Sequence, residues 1–177
     1  MVDQSIWLDF DSKEKIVTPS EVLDRLEGYG IVPNVFYHTF SHSSEIPKFR
    51  FVIALDRFIR NGHAYQYLLD GFNQIFTSDD GHPYLDQNCV KDISRIYHGT
   101  NADYLIDYVS NQTYNLPGGG VGNKEVIFYR NEPTSYDDLK LMIDSFNTNP
   151  FDNHRNNLRR VKDFDINNML DEWKKVL

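Results

Sequence analysis

The stretch Ile6-Trp7-Leu8-Asp9-Phe10-Asp11 has the period of a β-strand, in which residues two apart share a face. Ile6, Leu8 and Phe10 supply a core face, and Asp9 and Asp11 point together from the opposite one. Two carboxylates side by side at a strand end are a compact way to hold divalent cations through hard oxygen ligands. The same pattern also closes ordinary polar strands, so the acidic pair needs its surroundings to decide the chemistry.

Downstream of this strand, Thr18-Pro19-Ser20-Glu21 is a capping box with proline at the first helical position. Val22, Leu23 and Leu26 follow at helical spacing, and Gly28 and Gly30 stop the helix. Ile31 to Phe40 and Phe49 to Leu55 are rich in β-branched and aromatic residues and read as neighbouring strands joined by Ser41 to Pro47. Phe49, Phe51, Ile53 and Leu55 form one face of the second; Lys48, Arg50, Ala54 and Asp56 form the other. From Ala64 to Phe76, apolar residues recur at three and four, the signature of an amphipathic helix packed on a core.

Leu85-Asp86 and then Arg95 to Thr100 suggest an irregular segment entering a short strand. Leu116 to Gly122 reads as a flexible turn, Glu125 to Arg130 as a strand, and Pro133 to Phe146 and Asp163 to Val176 as helices. Asn147 to Asn157 is Asn-rich and reads as an exposed loop or linker. The expected fold is therefore α+β, an RRM-like βαββαβ core with additional C-terminal helices. Residues 1–146 would form one domain and 147–177 a linker and C-terminal helix packed on or extending from it.

Composition narrows the function classes. The 177 residues, 40% hydrophobic and 14% aromatic, suffice for one sizeable core. One cysteine, Cys89, excludes an internal disulfide framework and a Cys-based zinc site and fits a reducing compartment. No apolar run approaches a membrane span and no signal-peptide pattern opens the chain, so a soluble, cytoplasmic protein is expected. A net charge of −8 argues against tight standalone binding of nucleic acid. Charge is uneven, however: Lys48, Arg50, Arg57 and Arg60 gather around one strand, and His154, Arg155, Arg159, Arg160 and Lys162 lie near the C-terminus.

Three blocks resemble the archaeo-eukaryotic primase superfamily, in particular the primase-polymerase domains of phage, plasmid and mobile-island replication proteins. They are Leu8-Asp9-Phe10-Asp11; Tyr37-His38-Thr39-Phe40-Ser41-His42-Ser43 running into Pro47 to Ile53; and Leu85-Asp86 followed by Arg95. The middle block is the most specific, and together they span roughly the first hundred residues. The resemblance implies a two-metal nucleotidyltransferase, a DNA primase or polymerase, with Asp9, Asp11 and Asp86 holding Mg²⁺ or Mn²⁺. His42 would join these acids in the catalytic centre, and Ser41, Lys48, Arg50 and Arg95 would bind the triphosphate. Implied partners are nucleoside triphosphates, a single-stranded DNA template held weakly by the chain alone, and a helicase or other replication module.

Two assignments stay open. Asp56, at the end of a strong strand, rivals Asp86 as the third carboxylate. Ser41 and His42 are adjacent where the family separates them by one residue, which leaves the phosphate role between His42 and Arg50. Two other function classes compete. Asp9-Phe10-Asp11-Ser12 also looks like the nucleophile motif of a haloacid-dehalogenase-type phosphatase, with Asp79-Asp80 as its late acidic motif. The sheet would alternatively serve as a degenerate, non-catalytic nucleic-acid or protein-binding module of a replication complex.

Overall fold

The computed structural model describes residues 3–11, 16–92, 97, 99–116 and 124–147. Among these, six strands form one mixed sheet and four helices accompany it. Strand β1 is Asp3–Phe10, β2 Val35–His38, β3 Phe49–Ile59, β4 Tyr104–Asp107, β5 Gln112–Asn115 and β6 Glu125–Phe128; helices are α1 Pro19–Gly28, α2 Gly62–Ile75, α3 Gln87–Lys91 and α4 Tyr136–Asn147. The sheet order is β1-β3-β2-β6-β4-β5, antiparallel throughout except for the β4–β6 pair.

Helix α1 forms as its sequence dictates. The Thr18 hydroxyl accepts the Glu21 N–H while the Glu21 carboxylate accepts the Thr18 N–H, so two otherwise orphaned donors are satisfied. Its other end is a Schellman closure: the Ile31 N–H reaches the Leu26 carbonyl at 2.9 Å and the Gly30 N–H the Glu27 carbonyl at 2.8 Å. This requires Gly30 at φ +71, and it buries Ile31 beside Leu26. Ile31 thus belongs to the helix cap, which is why β2 begins at Val35 instead of at Ile31.

The expected alternation holds along the central strands. Ile6, Leu8 and Phe10 of β1 and Phe49, Phe51, Ile53 and Leu55 of β3 are all at most 1% exposed and pack with Leu68, Phe72 and Phe76 of the α2 region. Strand β3 runs past the expected end at Leu55 to Ile59, because β1 continues beside it through an irregularity between Asp3 and Ser5. Asn34 ties β3 to the connection before α4. Its amide donates to the carbonyls of Arg130 and Glu132, and its oxygen accepts the Ala54 N–H, so this buried polar side chain is fully engaged.

Helix α4 lies against α2 at Gly71, where an added Cβ would stand 2.5 Å from Ile143 Cγ2. Ile143 is β-branched, fully buried and restricted in rotamer. Gly71→Val is therefore expected to cost about 1–3 kcal/mol through overpacking. A denaturation midpoint equal to that of the unsubstituted protein would show that the two helices do not approach this closely.

The β4–β5 hairpin and the five-residue α3 were not expected. Hairpin pairing is closed by Asp107, whose carboxylate accepts the Val109 and Ser110 N–H groups, with Asn111 at φ +55. The helix expected over Asp163 to Val176, the glycine-rich turn from Pro117, the basic cluster His154 to Lys162 and all of 148–177 lie outside the described residues, as do Arg95 and His98. No helix of the described residues is long and apolar enough to cross a membrane.

Candidate metal and phosphate site

Pairing register brings the site together. Asp9 of β1 faces Arg50 of β3, and Arg50 faces Tyr37 of β2, making a row across three strands on the side opposite the Phe49–Phe51 core face. Arg50 NH2 stands 2.8 Å from Asp9 Oδ2, and Arg50 NH1 donates to Tyr37 Oη at 3.1 Å. The guanidinium also lies over the rings of Tyr37 and Tyr97, 5.7 and 5.2 Å from their centroids. Tyr97 in turn stacks on Trp7. Burial works against the Arg50 charge, but Asp9 and Tyr37 outweigh it and raise its pKa, so the guanidinium stays cationic.

Asp86 arrives at the free edge of β1. Its backbone N–H donates to the Asp9 carbonyl at 2.9 Å, and its carboxylate caps α3 by accepting the Asn88 N–H. One turn further, Cys89 Sγ sits 3.3 Å from Asp9 Oδ2 and 3.3 Å from Asp86 Oδ2. Ligand atoms of Asp9, Asp86 and Cys89 all fall within 4.8 Å of one another. Burial, together with the carboxylates of Asp9 and Asp86, pushes the Cys89 thiol far up, so it is the proton donor between two acids.

Asp11, one residue beyond β1, is held by Lys48, whose Nζ lies 2.7 and 3.0 Å from its two oxygens. It does not belong to the Asp9–Asp86–Cys89 group. Asp56 is elsewhere: it accepts the Tyr136 N–H at the start of α4 and flanks Arg57. Six residues separate it from Arg50 on β3, about 20 Å of strand. Of the two rivals for the third carboxylate, Asp86 is the one beside Asp9.

His42 and Ser41 lie in the β2–β3 connection. His42 Nδ1 accepts the Lys48 N–H at 3.2 Å, and its ring packs on His38 with centroids 3.9 Å apart. His38 Nδ1 accepts the Glu125 N–H, so both neutral rings carry their proton on Nε2, assigned from these bonds. Lys124 joins this corner, donating to the Phe40 carbonyl and to Asn101 Oδ1. Burial, with Lys124 behind it, lowers the His42 pKa.

For His38, burial followed by His42 and Lys124 lowers the pKa from 6.5 to about 4. On acidification the unfolded chain binds this proton near pH 6.5 and the folded chain only near pH 4, so stability present above 6.5 is lost across that window. The fall should approach about 1.4 kcal/mol per pH unit at its steepest. Replacing His38 by glutamine should flatten it, and an unchanged stability profile would place the titration on other groups.

Sequence reasoning missed Cys89, Tyr97 and Lys124. As a lone cysteine Cys89 spoke against a zinc site built on cysteines, but it joins two carboxylates instead of other cysteines; the i, i+3 relation to Asp86 on a capped helix was the available signal. Comparison with protein-family models, with curated proteins and with solved structures finds no match to this chain.

Electrostatically, the site sets two carboxylates at a strand edge beside two cations, Arg50 of β3 and Lys48 just before it. Oxygen atoms of Asp9 and Asp86 suit a hard divalent ion, and Asp86 would keep one oxygen on the α3 N-terminus while offering the other. Lys48, one residue before β3, and Arg50 within it each reach an acid of the β1 end, where the two cations fit a polyanionic ligand.

Proposed function

We propose that the chain is a divalent-metal-dependent nucleotidyltransferase of the primase-polymerase kind, extending primers or DNA from nucleoside triphosphates on a single-stranded template. The observation that carries this reading is the convergence of Asp86 with Asp9 at the β1 edge, with Arg50 directly across the pairing. The β1-β3-β2 order, with α1 connecting β1 to β2, is also that of the first half of an RRM-like core.

Asp9 and Asp86 would hold the cation, and Asp11 would add its carboxylate on releasing Lys48. Bound Mg²⁺ or Mn²⁺ supplies charge neutralisation at the triphosphate and activation of the attacking 3′-hydroxyl. Arg50, fixed by Asp9 and two tyrosine rings, presents a preorganised guanidinium to phosphate oxygens. Lys48 adds a second positive charge, and His42 offers an Nε2–H donor. Because phosphoryl transfer is chiefly positioning and electrostatic stabilisation, these groups meet its main requirements. A net charge of −8 leaves few cations to track a long template, so template affinity of the chain alone should be weak and salt-sensitive, and a helicase or other replication module is the fitting partner.

The ion pairs Asp9–Arg50 and Asp11–Lys48 favour one rival, a degenerate binding module whose acids are neutralised internally. Incorporation of labelled dNTPs on single-stranded and primed templates, with Mg²⁺, Mn²⁺ or a chelator, separates them. Metal-dependent extension is expected; template binding without extension would favour the degenerate module, and metal-dependent hydrolysis of a generic phosphomonoester without extension would favour a phosphatase.

A further inference from the structure

The acidic centre has a feature that two carboxylates alone would not need. Cys89 is 3% exposed and Asp9 5% exposed, and the sulfur stands equally far, 3.3 Å, from an oxygen of each acid. Two backbone hydrogen bonds and one side-chain cap place the backbone here. The Asp86 N–H is bound to the Asp9 carbonyl, the Cys89 N–H to the Asp86 carbonyl at 2.9 Å, and the Asp86 side chain caps the helix that carries Cys89. The fold thus sets the Cys89 backbone beside both acids, and burial with the two sulfur–oxygen contacts holds the thiol between them.

The spacing is informative. Around a tetrahedral ion with sulfur at about 2.3 Å and oxygen at about 2.1 Å, neighbouring sulfur and oxygen ligands lie about 3.6 Å apart. Both sulfur–oxygen distances here are within a few tenths of an ångström of that edge. An octahedral magnesium site takes oxygen ligands and keeps several waters, and thiolate sulfur is a poor partner for it.

We propose that Cys89 Sγ is the third protein ligand of this centre, making it a mixed oxygen–sulfur site that selects thiophilic divalent cations over magnesium and calcium. This rests on the reading of Asp9 and Asp86 as cation ligands. On binding, the thiol proton leaves to solvent and the sulfur lone pair forms the bond to the metal, with no change of oxidation state. Zinc and cadmium rank first by softness, and manganese precedes magnesium. A site of this kind would run synthesis better with manganese than with magnesium, and zinc would compete for it.

The test is made on the whole chain without nucleotide or template. Cadmium titration is followed by the near-ultraviolet cadmium–thiolate charge-transfer band and by calorimetry, with magnesium titrated in parallel. The native protein should take one cadmium ion with the band, and Cys89→Ser should abolish the band and weaken cadmium by at least about tenfold while changing magnesium little. Asp9→Asn or Asp86→Asn should weaken both ions. Cadmium binding to the native protein without the band, or with an affinity that Cys89→Ser leaves unchanged, would overturn the proposal. The native-protein band also serves if the serine variant fails to fold. A chain that shows the band and cadmium selectivity but extends no primer would sink the polymerase reading and leave the site standing; extension with no sulfur bond would do the reverse.

Discussion

Asp9→Asn is expected to abolish metal-dependent nucleotide incorporation, by about a thousandfold or more, the rate equivalent of the several kcal/mol that a bound cation supplies. Its carboxylate sits at the meeting point of Asp86, Cys89 and Arg50, so no neighbouring oxygen can replace it without moving β1. The same substitution should also weaken the fold. From the sequence alone Asp9 is a strand-end acid whose neutralisation would leave the fold intact. In the structure it is the buried partner of a cation, and asparagine removes the carboxylate charge that stands 2.8 Å from Arg50. Such a loss typically costs about 3 kcal/mol. Incorporation rates and denaturation midpoints measured on the same preparation separate the two effects. Near-normal incorporation would refute the ligand role, and an unchanged midpoint would refute the buried pair.

Arg50→Ala should produce the second large effect, from the opposite side of the same pair. It leaves the Asp9 carboxylate buried without a cation and removes the donor to Tyr37, for a cost of about 3–5 kcal/mol. A divalent ion binds the native state and can take over the missing charge, so saturating Mn²⁺ should restore part of the stability of this variant and less of it in the unsubstituted protein. Nucleotide affinity should fall strongly and affinity for single-stranded DNA little, read by separate titrations of labelled dNTP and oligonucleotide. An Arg50→Ala protein as stable as its parent, or with the same dNTP affinity, would show that Arg50 neither compensates Asp9 nor binds phosphate.

Local signals carried much of the fold. Period-two alternation gave the buried faces of β1 and β3, and the Thr18–Glu21 capping box gave α1, because each depends on contacts within a few residues. What escaped depends on distant partners. Gln112 to Asn115 is exposed along its whole length and becomes a strand only by pairing with Tyr104 to Asp107, which in turn needs β6 beside it. Gln87 to Lys91 is too short for periodicity and is defined by its Asp86 cap and the packing of Val90 in the core.

The site divides in the same way. Asp9, Asp11, Lys48 and Arg50 were legible because strand alternation sets which face each residue takes. That Lys48 would hold Asp11 while Arg50 holds Asp9 follows from the β1–β3 register, which no single strand encodes. That Asp86 and not Asp56 lies beside Asp9 likewise depends on tertiary contacts, the Asp86 N–H on the Asp9 carbonyl and the engagement of Asp56 with Tyr136 at the start of α4.

Asp86→Asn tests Asp86 as a cation ligand cleanly, since asparagine is as good a helix N-cap as aspartate and keeps α3 in place. Incorporation of labelled dNTP with Mn²⁺ should be measured for the unsubstituted protein, Asp86→Asn and Asp56→Ala side by side. A metal-dependent activity that Asp86→Asn lowers by about a hundredfold or more, while Asp56→Ala stays within about twofold, is the predicted result. Equal activity of Asp86→Asn and the unsubstituted protein, or a loss confined to Asp56→Ala, would contradict it.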